Sequence, residues 1–209
     1  MADNDAFPWN DGRRTEYYTA VGYLCDKWNV VDRLYCWRAS DIMGIKRSKH
    51  HILFRHLGTV AIGEFMNEYA EAHIKSKATR EQVAYVIKYV NACRVNRNAI
   101  VHGWADLHGV KGLDSIRVRP KPDQRRAKPK DFVIKLEDIA RVCDEMEMAG
   151  RLTVAMSFLF DRRGIKTMKG LLGAEWRSRL HAKPPPPRFV GASPQTHPKP
   201  KARRRSSRG

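Results

Sequence analysis

Apolar residues recur at alternating steps of four and three near the start of the chain, and this spacing constrains the fold more than any other feature. The stripe consists of Tyr17, Val21, Leu24, Trp28, Val31 and Tyr35. Residues at these steps share one face of an α-helix, and that face must pack against other elements to leave water. The pattern predicts a helix from Arg14 to about Ala39.

Two later stretches have the same period. Residues 51–74 carry an apolar face through Phe54, Val60 or Ala61, Phe65 and Tyr69. Gly58 and Gly63 weaken this helix, so a break into two helices stays open. Residues 137–160 carry a long stripe, and a weaker amphipathic helix is predicted within residues 161–181.

The third predicted helix has the clearest start and end. Thr79 with Gln82 three residues later is typical of a capping box, and Gly103 is well placed to end the helix after His102. Its apolar stripe begins with Val83, Val86, Val90 and Cys93. The sequence therefore predicts a helix from about residue 79 to residue 102.

The pattern changes between the third helix and the last long one. Residues 113–119 and 132–136 alternate apolar with polar or basic side chains, as half-buried strands do. The segment between them, 120–129, is rich in proline and basic residues and cannot be helical. These features predict a β-ribbon over residues 113–136 with a long charged loop.

Four amphipathic helices joined in this way predict an all-α fold, a four-helix bundle over residues 14–160 with the ribbon inserted between its third and fourth helices. Residues 1–13 are expected to be loosely ordered. Residues 161–181 add an accessory helix. Residues 182–209 are Pro-rich, with eight basic residues and no acidic ones, and are expected to form a disordered basic tail.

The cysteines and the apolar runs indicate a cytoplasmic location. Four scattered cysteines fall within helical apolar patterns and are expected to be reduced thiols of the core: Cys25, Cys36, Cys93 and Cys143. The first 11 residues lack the basic-then-apolar order of a signal peptide. The apolar run 152–160 is too short to cross a bilayer, so no membrane partner is expected.

The net charge indicates an anionic partner. Forty Lys and Arg residues stand against 22 Asp and Glu residues, a formal net charge of +18. Such a surplus attracts polyanions, so nucleic acid is the first candidate partner and an anionic membrane surface the second. The alternative is that the charge serves solubility alone.

One arginine occupies a position that the apolar stripe of the third helix reserves for the core. After Cys93 the stripe reaches Arg97 and then Ile100 and Trp104. A buried guanidinium needs an anion, a carboxylate or a subunit boundary. A salt-bridged or snorkelling arginine is the alternative interpretation.

The residues around this arginine form a short motif, Arg97-Asn98-Ala-Ile-Val-His102, followed by Gly-Trp. With its place on a late helix of a bundle, the motif resembles that of the HEPN family, the higher eukaryotes and prokaryotes nucleotide-binding domains. The resemblance covers about residues 14–160. It implies a metal-independent endoribonuclease, a hydrolase of the kind that acts as a toxin or in phage defence. It also implies a homodimer and no cofactor.

The motif residues suit this chemistry. His102 can move a proton near neutral pH, and Arg97 can hold a phosphate and stabilise charge on its oxygens. Asn98 is expected to orient the histidine or bind the phosphate. On an unbroken helix Arg97 and His102 point about 140° apart. A site within one chain then needs a local break. The resemblance implies instead a dimer in which two motifs form one site, with Arg97, Ile100 and Trp104 facing the second copy.

RNA is the predicted partner, and basic residues outside the motif are expected to contact its phosphates. They are Arg117, Arg119, Lys121, Arg125, Arg126, Lys128, Lys130, Arg203, Arg204 and Arg205. Phosphate contacts of this kind position RNA without specifying sequence. No metal site is expected from the histidine-rich stretch His50, His51 and His56 or from His102, Asp106 and His108, because no further ligands accompany them. An antitoxin or regulatory protein is a possible further partner.

Two other functions stay open at this point. The first is a non-catalytic RNA- or DNA-binding bundle, which a nuclease assay in the presence of EDTA distinguishes from an enzyme. The second is an interaction protein whose basic tail engages an acidic partner. In that case nucleic acid does not compete with the partner.

Overall fold

The computed structural model describes residues 12–54, 57–102, 104–106, 115–119, 132–158, 184–185 and 187–190. Within these residues the chain is mostly helical, and the predicted all-α class is confirmed at that level. The elements in chain order are α1 (Gly12–Ile42), α2 (Arg47–Phe54), α3 (Thr59–His73), α4 (Lys77–His102), β1 (Trp104–Asp106), β2 (Ser115–Arg119), β3 (Phe132–Lys135) and α5 (Leu136–Phe158).

Helix α1 is the central scaffold of the bundle. Five of its six predicted stripe residues are buried, and the sixth, Val21, is partly buried. It packs mainly against α5, and Gly150 of α5 lies close to Leu34 and Val31. The amphipathic stripe therefore predicted both the helix and its buried face.

The second predicted helix is two helices, α2 and α3, as the glycines allowed. Helix α3 begins after Gly58, and the Thr59 hydroxyl donates a hydrogen bond to Asp32 Oδ1 of α1 at 2.8 Å. The face that α3 buries differs from the prediction. Ile62, Met66 and Ala70 are buried, whereas Phe65, which was expected to face the core, is exposed. Of the two residues offered for the preceding core position, Val60 is exposed and Ala61 is partly buried.

Helix α4 begins earlier than predicted and has a different cap. The backbone N–H of Thr79 donates to Ser76 Oγ at 3.3 Å, so Ser76 is the capping residue and the predicted Thr79–Gln82 capping box is wrong. Gln82 is instead buried in the bundle. The predicted end at His102 is confirmed.

The predicted ribbon is part of a three-stranded antiparallel sheet. Strands β2 and β3 pair as expected, with Ile116 opposite Ile134. Strand β1, which was not predicted, directly follows α4 and pairs with β2. Helix α5 starts immediately after β3, where the Lys135 N–H donates to Asp138 Oδ2 at 3.0 Å. The charged loop 120–131 lies outside the described residues.

Part of the predicted disordered tail packs on the bundle. We call residues 184–190 the strap; all but residue 186 are described. Its last residue, Val190, is fully buried and belongs to the core. The expectation that residues 182–209 contribute nothing to the core is therefore wrong for Val190. The N-terminal residues 1–11, the accessory helix and residues 191–209 lie outside the described residues.

The structure agrees with the expectation that the four cysteines are reduced thiols within the bundle. All four cysteines are free, with Cys93 and Cys143 buried and the other two partly buried. Burial raises the pKa of Cys36 to about 11 and that of Cys93 to about 12. None of the helices that the structure describes is long and apolar enough to cross a membrane.

Candidate active site at the end of the fourth helix

Arg97 lies on the side of α4 that faces the core, as the stripe predicted. Its neighbours on that side, Cys93 and Ile100, are buried, while Arg97 itself is partly buried. Its Nε atom is buried and has no hydrogen-bond partner within the described part of the chain. A buried guanidinium N–H without a partner is unfavourable, so this position is not explained by packing alone.

The other end of the guanidinium meets the rest of the motif. Nη1 of Arg97 lies 3.0 Å from Nε2 of His102 and donates to Asn98 Oδ1 at 3.1 Å. Because arginine can only donate, Nε2 of His102 must be the acceptor, and the neutral ring then carries its proton on Nδ1. His102 is exposed. The three motif side chains therefore form one cluster within a single chain.

The cluster forms although α4 is continuous through His102, so the expected local break is not present. The 140° separation describes only the directions in which the side chains leave the helix. The long arginine side chain closes that gap over a little more than one turn. Neither a helix break nor a second subunit is needed to bring Arg97 to His102.

The predicted dimer interface is wrong in one residue. Ile100 is only 2% exposed and belongs to the chain's own core, so it does not lie at a subunit boundary. The side chain of Trp104 is not described. A homodimer that uses other surfaces stays a prediction.

Charge is unevenly distributed among the helices. Helix α4 carries five Lys and Arg residues and one acidic residue, Glu81. Helix α3 carries three glutamates and no Lys or Arg, and α5 carries five acidic residues against two arginines. From Gln82 to His102 no acidic residue interrupts α4. A polyanion approaching the motif along this helix meets no carboxylate on the helix itself.

The arrangement can bind an anion without a metal. Among the described residues Arg97 contacts an imidazole ring and an amide rather than a carboxylate, so its positive charge is not paired there. A phosphate oxygen is a suitable partner for this guanidinium. Within the described residues no group of three His, Cys, Asp or Glu side chains could hold a metal ion.

The sheet brings one predicted RNA-binding residue close to the motif in the backbone register. Arg119 pairs with Trp104, which is two residues beyond His102, and Arg117 pairs with Asp106. Their side chains are not described. The remaining predicted contacts lie outside the described residues: Lys121, Arg125, Arg126, Lys128, Lys130, Arg203, Arg204 and Arg205. The same is true of His56, His108 and the side chains of His50 and His51.

The sequence did not reveal the role of Asn96, the residue before Arg97. Asn96 is 1% exposed, and its side chain holds the strap. Nδ2 donates to the carbonyl oxygen of Arg188 at 2.8 Å, and the N–H of Val190 donates to Oδ1 at 3.1 Å. An isolated Phe189-Val190 pair in a Pro-rich basic segment was the one signal that this segment packs.

Two further contacts hold the strap against α4 and α5. The Tyr85 hydroxyl donates to the carbonyl oxygen of Pro184. Arg141 Nη1 donates to Glu145 Oε1 at 2.5 Å and contacts the carbonyl oxygen of Arg188 at 3.4 Å. Glu145 in turn lies 3.5 Å from Asn96 Nδ2, and burial raises its pKa.

A separate apolar cavity of about 620 Å³ lies between α1 and α5. Tyr23, Leu136, Ile139 and Cys143 are among its lining residues. None of the motif residues lines this cavity, so it does not belong to the candidate site.

The chain was compared with protein-family models, curated proteins and solved structures. No family model, no curated protein and no solved structure matches it.

Proposed function

We propose that this protein is a metal-independent endoribonuclease of the HEPN type, with Arg97, Asn98 and His102 as its catalytic residues. One observation carries the proposal: the motif's arginine, asparagine and histidine side chains are in contact within one chain. The local positive charge of α4 and the net charge of +18 support an RNA substrate.

The proposed reaction uses the nucleophile that RNA itself carries. Nε2 of His102 accepts the proton of a 2′-hydroxyl, and the 2′ oxygen attacks the adjacent phosphorus. Arg97 turns its Nη1 from the histidine to a phosphate oxygen and stabilises the charge that develops there. The bond from phosphorus to the 5′ oxygen breaks, and that oxygen takes up a proton from solvent. The products are a 2′,3′-cyclic phosphate and a 5′-hydroxyl.

Contact between Arg97 and His102 in the free protein suits this sequence of events. The guanidinium holds the ring in the tautomer whose Nε2 is unprotonated, which is the form that a general base requires. Asn98 accepts from the same guanidinium and keeps it near the ring. RNA binding would then exchange a neutral acceptor for a charged phosphate, which is a stronger partner for arginine.

The wider setting rests on the resemblance alone. It implies a cytoplasmic toxin or phage-defence enzyme that works as a homodimer and is restrained by an antitoxin or regulatory protein. In a dimer two complete motifs would lie side by side, so each chain would supply its own arginine and histidine.

The test is a cleavage assay on single-stranded RNA with the purified full-length protein and excess EDTA. We expect cleavage to persist and the products to end in cyclic phosphate. The same oligonucleotide with 2′-deoxyribose at the cut site should not be cleaved, because its nucleophile is missing. Tight RNA binding with no cleavage of any RNA tested would contradict the enzyme and leave the non-catalytic binding protein.

A further inference from the structure

Helix α1 carries a second stripe besides the one that the core buries. We call it the outer stripe, and it consists of Tyr23, Lys27, Val30, Leu34 and Trp37. Its members follow one another at steps of four and three residues, so they share one face of the helix. The side chains of Tyr23, Val30 and Trp37 are 53%, 51% and 46% exposed. Three exposed apolar side chains in one row indicate an interaction surface.

One end of the outer stripe leads into the apolar cavity of about 620 Å³ between α1 and α5. Tyr23 belongs to both, and Ala20, one turn earlier on the same face, also lines the cavity. Trp37 lies at the other end of the face, about 25 Å from Ala20 along the helix axis. A single face of α1 therefore carries an exposed tryptophan at one end and an apolar cavity at the other.

This face is complementary to a second copy of itself. With Ala20 added, its positions are symmetric about a point between residues 28 and 29, so two antiparallel copies of α1 can match related by a twofold axis. The pairs that then face each other are Ala20 with Trp37, Tyr23 with Leu34, and Lys27 with Val30. Each tryptophan thereby meets the cavity of the other chain.

Lys27 does not interrupt the apolar face. Its Nζ lies 3.6 Å from Glu147 Oε2 of α5 and 5.2 Å from the centre of the Tyr23 ring. The charge is therefore directed toward α5 within its own chain, and the aliphatic part of the side chain remains for contact with Val30 of the second copy.

Two charges beside the outer stripe fit the same pairing. Asp26 and Arg33 are exposed, and neither is in an ion pair within the described residues. Antiparallel packing brings Asp26 of each copy beside Arg33 of the other, so the interface gains two ion pairs at its edge. A parallel pairing in register would leave the two charges about 10 Å apart along the axis. The charges therefore favour the antiparallel dimer.

We propose that this chain forms a twofold dimer through the outer stripe of α1, with Trp37 of each copy seated in the apolar cavity of the other. The partner is a second copy because the tryptophan, the cavity and both charges lie on one helix and complement one another. Arg97, Asn98 and His102 lie outside this interface, so it is a different assembly from one in which two motifs meet. The inference does not rest on the proposed function.

The first test is sedimentation of the full-length protein over a range of micromolar concentrations. The wild type should be in equilibrium between monomer and dimer. Trp37→Ala should weaken self-association at least about tenfold, because a tryptophan seated in a pocket is the kind of residue that dominates an interface. Tyr18→Ala is the matched control, since Tyr18 lies on α1, is also 46% exposed and does not belong to the outer stripe. It should leave self-association unchanged.

The second test exchanges the charges and reports the orientation of the two helices. Asp26→Arg and Arg33→Asp should each be more monomeric than the wild type at low salt, because each places like charges beside one another. An equimolar mixture of the two variants should form heterodimers, since every contact then joins a cation and an anion. A mixture that stays as monomeric as its components would overturn the antiparallel pairing.

Wild-type protein that stays monomeric would overturn the proposal, and so would a dimer that Trp37→Ala and the charge variants leave intact. The RNA cleavage assay is read separately on the same preparations. A dimer that cleaves no RNA would refute the proposed enzyme and leave the α1 interface standing. A monomer that cleaves RNA would do the reverse, so the two failures are distinguishable.

Discussion

Asn96 and Arg97 are neighbours on α4, and the surroundings of their side chains differ sharply. Asn96 is almost fully buried, and both ends of its amide have partners at ordinary distances. Arg97 is partly buried, its Nε has no partner among the described residues, and its Nη1 meets a histidine and an asparagine. The fold therefore supplies hydrogen-bond partners for both ends of the Asn96 amide, whereas no carboxylate among the described residues pairs with the Arg97 guanidinium.

This difference indicates that Asn96 stabilises the fold and that the adjacent Arg97 binds a ligand. A buried polar group with all its partners stabilises the folded state, and removing it leaves the partners unsatisfied. A partly buried charge without a carboxylate costs stability unless a ligand supplies the anion. We therefore expect the two residues to fail in different assays.

The largest effect is expected for Arg97→Ala and His102→Ala. Each should lower the rate of RNA cleavage by at least about a hundredfold, because each removes a group that acts on the reacting phosphate or proton. Neither should lower the melting temperature appreciably. His102 is exposed, and for Arg97 the lost packing of its stem is offset by removal of a buried Nε that has no partner among the described residues. Cleavage rates and thermal melts on the same preparations check both statements.

Two matched controls are present in the chain. His73, like His102, is an exposed histidine in the last turn of a helix, and Arg38, like Arg97, has a buried Nε without a hydrogen-bond partner among the described residues. Arg38 differs in binding the carboxylate of Asp41 at 2.9 Å. His73→Ala and Arg38→Ala should retain cleavage. Activity that survives His102→Ala in a clean preparation would remove the proposed mechanism.

Asn96→Ala should show the opposite behaviour. Loss of its amide leaves the Arg188 carbonyl and the Val190 N–H without their partner, at a cost of about 1–3 kcal/mol. For a chain of this size each kcal/mol lowers the melting temperature by roughly 2–4 °C. The turnover rate at saturating RNA should stay close to that of the wild type. A loss of turnover as large as that of Arg97→Ala would erase the distinction between the two residues.

Gly63→Ala is a control for Asn96→Ala, because it should destabilise the bundle without removing a contact to the strap. A Cβ at this position would lie 2.8 Å from Ile87 Cγ2 and 3.0 Å from the Tyr35 hydroxyl, so α3 and α4 must shift. Overpacking of this kind costs about 1–3 kcal/mol, and the better helix propensity of alanine offsets up to about 1 kcal/mol. Chemical denaturation should show a modest loss of stability, whereas tryptic cleavage after Arg188, whose carbonyl oxygen Asn96 binds, should stay as slow as in the wild type.

The sequence predicts the bundle well where one apolar face dominates. The stripe of α1 and the strand pair β2–β3 follow from simple periods of burial. The face of α3 was wrong because Val60 and Phe65 are apolar but exposed, and hydrophobicity alone does not choose between two adjacent helical faces. Strand β1 has three residues, which is too short for an alternating pattern to be recognised.

The candidate site was predictable in its residues but not in its geometry. The motif named Arg97 and His102, yet the angle between positions on a helix ignores the reach of a long side chain. The Asn96 anchor was not predictable, because it joins residues more than 90 positions apart and uses a residue type that is usually exposed. Pro-rich composition indicated a segment without a core, and a single buried valine was enough to make part of that prediction wrong.

The smallest predicted effect concerns Glu145, the carboxyl group beside the anchor. Burial raises the pKa of Glu145 above its ordinary value of 4.5, although Arg141 and Asn96 act in the opposite direction. An acid whose pKa is higher in the folded chain than in the unfolded chain binds protons more readily when folded. Its contribution to stability therefore increases as pH falls toward the ordinary glutamate value, and decreases as pH rises above it.

Glu145→Gln isolates this contribution, because glutamine retains an oxygen that can accept from Asn96 and cannot ionise. We expect the melting temperature of the wild type to rise relative to that of the variant as pH falls from about 7 to about 5. Other groups titrate equally in both proteins, so the difference between the two curves belongs to Glu145 and its partners. Tryptic cleavage after Arg188 should stay as slow as in the wild type. Identical pH curves would mean that the carboxylate is solvated well enough for burial not to matter, and the anchor would then rest on the Asn96 amide alone.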